Sequence, residues 1–207
     1  MTRFSRIALL LVPAIFLAVS PLFAAKAGPV RFKMTLLSLY RQSDLIFIGR
    51  FDKKEDFGTS RVGNGFMAVG TKTYFDVSTV LKGESRKFFV LEDEEYRYQV
   101  EPQNENEAPR EATFVEDIGS FDADAQAKSG DTILVFLKQN GDSFDVTDQR
   151  DGIKKISPQD QSVYESRISE LNSIFSTDKT DASKVAEWLI QCAEEPVTRW
   201  DGAHELL

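Results

Sequence analysis

A single cysteine in a chain that opens with an export signal is the tightest constraint on this fold. Cys192 has no second cysteine in the chain to pair with. A protein in an oxidising compartment would then hold by packing alone, with no intrachain disulfide. The export reading rests on the first 27 residues. Met1 to Arg6 carries Arg3 and Arg6 and no acid, Ile7 to Val19 is apolar except for Pro13, and Ala25-Lys26-Ala27 fits the small-x-small rule for cleavage after Ala27. The apolar run is shorter than the ~20 residues a bilayer-spanning helix needs. No later segment is apolar enough to span, so no membrane span is expected after cleavage. The expected organisation is a signal peptide at 1–27, a β domain at 28–156 and a helical segment at 157–207, in an extracytoplasmic protein that is periplasmic or secreted.

Removing the leader takes away Arg3, Arg6 and Lys26 and no acid. That leaves 22 basic residues against 33 acidic ones, a formal charge of −11. Such a surface repels nucleic acid and anionic lipid, and neither is expected as a partner. Of the sixteen Phe, Phe4, Phe16 and Phe23 go with the leader, and the rest supply a core. Cys192 falls on the apolar face of a predicted helix and reads as a small buried hydrophobe.

The first half of the mature chain reads as β structure. After a short helix over Met34–Arg41, Leu45 to Phe51 is the first strand and Gly58 to Gly65 a glycine-rich loop. Phe66 to Val80 is one long strand, in which Phe75, Val77 and Thr79 alternate with Asp76 and Ser78. Lys82-Gly83 turns the chain into Lys87–Leu91. Glu92 to Gly130 is acidic, holds Pro102 and Pro109 and lacks sustained periodicity. It reads as a long insertion, with short strands at Tyr96–Val100 and Ala112–Val115. Thr132–Lys138 is a buried strand and Asn140-Gly141 a hairpin turn. Ser143–Thr147 returns with Phe144 and Val146 inward, and Ile153–Ile156 adds an edge.

The last fifty residues read as helix. Ser157 is an N-cap with Pro158 at the first helical position, and Tyr164, Ile168, Leu171 and Phe175 share one face. Asp181 caps a second helix bearing Val185, Trp188, Leu189 and Cys192 on one stripe, and Pro196 opens a third segment with Val197 and Trp200. The expected class is mainly β with an α tail: a five- to six-stranded antiparallel OB-like barrel followed by two or three helices.

Ser43-Asp44-Leu-Ile-Phe-Ile-Gly-Arg50, Phe75-Asp-Val-Ser-Thr-Val-Leu-Lys-Gly83 and Gly130-Asp-Thr-Ile-Leu-Val-Phe-Leu-Lys138 come in that order before a closing hairpin. In this the chain resembles bacterial secreted OB-fold-like domains of the netrin and tissue-inhibitor-of-metalloprotease superfamily. Asp44 to Ile156 carries the likeness, a little over half the chain. The resemblance implies an OB-like barrel. Inhibition of metalloproteases in that superfamily needs a cysteine at the mature N-terminus and a disulfide framework. Both are missing here, so no inhibitory site is carried over. The tail, with Trp188 to Cys192 and Thr198-Arg199-Trp200, is similar to the start of a HEAT-like helical repeat.

Catalytic residue types are scarce. His204 is the one histidine, so neither a His-based hydrolase nor a Cys/His zinc site assembles from the sequence. Ser176-Thr-Asp-Lys179 matches S-x-x-K, but it falls in the break between two helices and lacks the companion motifs. Asp122-Ala-Asp124-Ala-Gln126 starts like an EF-hand loop, yet Ala127 replaces the glycine and Ile133 the bidentate Glu. The candidates left for a cation are Glu92, Asp93, Glu94 and Glu95 with Asp148 and Asp151, which read equally as a solvated acidic face. No cofactor is expected. Three functions remain open. They are a non-catalytic module that binds an extracytoplasmic protein or ligand, an assembly protein that self-associates through its apolar C-terminal helices, and a carboxylate-only hydrolase acting on carbohydrate.

Overall fold

The computed structural model describes residues 33–63, 66–100, 110–112, 127–176 and 181–207. The leader, Thr177–Thr180, the EF-like stretch Asp122–Gln126 and most of the acidic insertion lie outside them. In chain order the elements are α1 (Leu36–Gln42), β1 (Leu45–Gly63), β2 (Phe66–Lys82), β3 (Phe88–Val100), β4 (Arg110–Ala112), β5 (Thr132–Asn140), β6 (Ser143–Val146) and β7 (Ile153–Lys155), then α2 (Pro158–Ile174), α3 (Ala182–Glu194) and α4 (Arg199–Glu205). The class is mainly β with an α tail. All pairings are antiparallel, in the order β4-β3-β2-β1-β5-β6, with β7 also on β5.

Side chains on a strand alternate between faces, and β1 and β5 use both faces for core. Ile46, Ile48, Leu134 and Phe136 turn to one cluster, under Leu36 and Leu39 of α1, Ile168 and Leu171 of α2, and Trp188 and Cys192 of α3. Leu45, Phe47, Ile133, Val135 and Leu137 turn to the other, with Phe75, Phe89 and Leu91. Burial on both faces is why Thr132–Lys138 reads as an unbroken apolar run rather than an alternating one. Helices and sheet thus share one of the two clusters. Cys192 is fully buried there, and burial pushes its thiol up to about 11.

Local signals place the helices. Ser157 accepts from the Asp160 amide and Asp181 from the Ser183 amide, as the two caps predict. The Asn140-Gly141 turn has Gly141 at φ 60. Helix α1 is shifted from the expected Met34–Arg41: Thr35 caps it, accepting from Ser38, and the Lys82 ammonium donates to the Tyr40 and Ser43 carbonyls at its other end, 2.9 and 2.6 Å away. The tail turns back onto the chain's beginning. Asp201 accepts from the Leu36 amide at 2.8 Å, Glu205 from the Thr35 and Ser38 hydroxyls, and Asp151 from the Met34 amide at 2.7 Å. Helix α4 packs on α3 so closely that a Cβ on Gly202 would lie 2.3 Å from the Leu189 carbonyl oxygen.

Three expectations need correcting. Gly58–Gly63 is strand, not loop: β1 runs on to Gly63, paired with β2 through Gly63↔Phe66. Glu92–Glu95, read as insertion, is strand as well: it joins the expected Lys87–Leu91 and Tyr96–Val100 strands into one β3, paired with β2 as far as Phe66↔Tyr98. Beyond Phe51, therefore, β1, β2 and β3 form a three-stranded arm that continues the sheet. Third, the sheet does not close into a barrel, because β3 and β6, which would have to pair, share no ladder. The seam between them is filled by side chains instead. The Phe89 and Phe144 rings meet edge-on, 5.8 Å apart, and the Arg86 guanidinium lies over both, 5.4 and 5.2 Å from their centroids.

A candidate binding cleft at the open seam

Strand alternation sorts the acidic run of β3. Leu91, Asp93, Glu95 and Arg97 face one side, and Glu92, Glu94 and Tyr96 face the other. On the first side Leu91 continues the core, and the polar residues follow it along the arm. Glu95 pairs with Lys54 of β1, and both side chains are nearly buried at 10% and 8% exposure. Arg97 grips both oxygens of Asp56 at 2.6 and 2.8 Å and reaches Glu95 at 3.0 Å. The guanidinium holds the Asp56 carboxyl below the usual carboxylate range. Glu95 therefore has two cations and is committed to the arm's own structure.

Beyond the Phe89–Phe144 contact, the seam opens into a cleft of about 500 Å³. Leu91, Glu92 and Asp93 line it from β3, and Asp145 to Gln149 from β6 and the loop that follows. Four carboxylates and no basic side chain are among these residues. Glu92 is neutralised by Lys72, 2.7 Å away on β2. Among the described residues no cation pairs with Asp93, Asp145 or Asp148. Their hydrogen bonds come from neutral donors: the Glu94 amide to Asp93, the Asn140 side-chain amide to Asp145, and the Arg150 and Asp151 amides to Asp148. Burial pushes the Asp93 carboxyl up. The Glu94 amide and Lys54 pull it down, and the charges of Glu95 and Asp145 add to the upward push. Asp93 thus carries negative charge at a cost that an arriving cation would relieve.

The structure brings together Glu92, Asp93 and Asp148 from the six candidate acids. It does not bring in the others. Glu94 faces the other side of the strand, where its carboxylate pushes the Tyr96 phenol up, Glu95 is held in the Lys54–Arg97 network, and Asp151 holds the Met34 amide. Among the described residues no three potential metal ligands gather closely enough to hold an ion. Sequence reasoning missed Asp145. Its signal was present only as an acid next to the inward Phe144, and what makes it part of a site is the approach of β6 to β3, some fifty residues apart in the chain. His204 stacks on Trp200 at 4.9 Å. Ser176, the start of the S-x-x-K match, donates to the Ser173 carbonyl, and its lysine lies outside the described residues. No family model, no curated protein and no solved structure matches the chain.

Proposed function

We propose that the chain is an exported, non-catalytic binding module, extracytoplasmic in location, whose cleft between β3 and β6 grips a lysine- or arginine-bearing segment of a partner protein. The observation that carries this reading is that Asp93, Asp145 and Asp148 face one cleft without a cationic partner among the described residues. Carboxylates arranged this way attract cations from a distance and fix their position on contact. The absence of any helix long and apolar enough to cross a membrane, among the described residues, is compatible with a protein free of the bilayer. The likeness to OB-type secreted domains points the same way, since it implies a scaffold for binding.

The test is calorimetric titration of the full chain with an octalysine peptide, at low and at high salt. The reading expects saturable binding that weakens with salt and falls by more than about tenfold in the Asp93→Asn/Asp145→Asn double variant. Equal affinity in the double variant would remove the cleft from the account.

A further inference from the structure

The cleft uses one side of the arm, and the other side has an unexplained character of its own. Phe57, Phe88 and Tyr96 lie 43%, 49% and 44% exposed. Contacts place them on a single face with Tyr74, Lys53, Glu55, Lys72, Glu92 and Glu94. The Tyr74 and Phe88 rings are 6.0 Å apart, Lys53 lies over Tyr74, Lys72 lies over Phe57, and the Glu94 carboxylate acts on the Tyr96 phenol, pushing it up. The β2–β3 ladder beneath runs from Phe66↔Tyr98 to Asp76↔Phe88 without a register shift, so the face is a regular platform. The eight steps from Phe88 to Tyr96 give it a length of about 27 Å at ~3.4 Å per residue. Aromatic surface of this extent is uncommon on a protein with nothing to bind.

We propose that this outer face of the arm binds a neutral polysaccharide chain, by stacking sugar rings on Phe57, Tyr74, Phe88 and Tyr96. The charges on the face decide the ligand class. Both lysines are already neutralised within it, Lys53 by Glu55 at 2.6 Å and Lys72 by Glu92 at 2.7 Å. A nucleic acid or an anionic glycan would need cations to spare. An apolar membrane surface would have to bury the carboxylates. The centre of a protein interface is usually depleted of charged side chains, whereas here they stand between the rings. A neutral sugar has the matching amphipathic form: C–H faces for the rings, and a rim of hydroxyls that donate to Glu55 and Glu94 and accept from Lys72. An extended chain of several sugars would follow the platform along β3. Glu92 borders both this face and the cleft, but none of the four rings lines the cleft, so ring variants and Asp93/Asp145 variants test the two readings separately.

The test titrates the full chain with cellohexaose, chitohexaose and laminarin, and repeats the titration with the Phe88→Ala/Tyr96→Ala double variant. Both rings are exposed, so an unchanged melting temperature confirms that the variant is folded. The proposal expects saturable binding of at least one of these glycans. The double variant should weaken it more than about tenfold, while Asp93→Asn/Asp145→Asn leaves it unchanged. Failure of all three glycans to bind overturns it, as does binding that survives loss of the rings. A change in oligomeric mass on removing the rings, or loss of octalysine binding, would assign the face to a protein and also overturn it.

Discussion

Asp93 shows how one residue's surroundings set its chemistry. Its raised carboxyl means that the folded protein holds this proton to a higher pH than the unfolded chain does. Ionising Asp93 therefore costs stability, and this contribution is lost as pH rises from the ordinary carboxylate range through the raised value. A cationic ligand needs the ionised form, so octalysine affinity should fall as pH drops through that same window. Asp93→Asn should flatten the contribution of this group, as read by titrations carried upward in pH from the ordinary carboxylate range. Glu95 makes the opposite case. Glu95→Gln leaves the nearly buried Lys54 without its countercharge and should destabilise by about 3 kcal/mol in urea unfolding. The paired replacement Lys54→Met/Glu95→Met should recover most of that loss, because it removes both charges together.

Elements with local signals were legible in the sequence; those held by pairing alone were not. Ser157-Pro158 and the spacing of Ile168 and Leu171 fix α2, and Asn140-Gly141 fixes the β5–β6 hairpin, because in each the signal lies within a few residues. The outer half of β1 gives no such signal. Gly58 and Gly63 are turn residues by habit, and Lys53 to Ser60 has no apolar alternation, yet a ladder to β2 holds the stretch in strand. The same is true of Glu92 to Glu95, whose charges read as loop but pair with Lys54 and Lys72 of neighbouring strands. Two element-level variants follow. Ser157→Ala should cost about 1 kcal/mol through the lost cap. Gly202→Ala should cost about 1 to 3 kcal/mol, because its Cβ has no room against α3. Amide exchange localised to α4 would separate the second effect from a general loss of stability.

For the whole molecule, the sequence carried the fold class but not the seam. Closure of a barrel depends on whether two distant strands reach hydrogen-bonding distance, and here aromatic packing by Phe89, Phe144 and Arg86 takes up the space instead. The candidate site is a product of that incomplete closure, so Asp145, one of its four carboxylates, was invisible in the sequence. The acidic balance also has two consequences of opposite sign. Added salt should raise the melting temperature of the free protein by screening self-repulsion, while it weakens octalysine binding. Parallel melting and titration series in sodium chloride would check both.

The carboxylates that hold α1 have a bearing on time as well as on structure. Leu36 takes its partner from Asp201, 165 residues later, and Thr35 takes its own from Glu205, 170 residues later. A chain delivered N-terminus first, from a ribosome or through a pore, presents α1 long before its anchors. Until they arrive the amide of Leu36 has only water to bond, so α1 lacks these two anchors until Asp201 and Glu205 have been delivered.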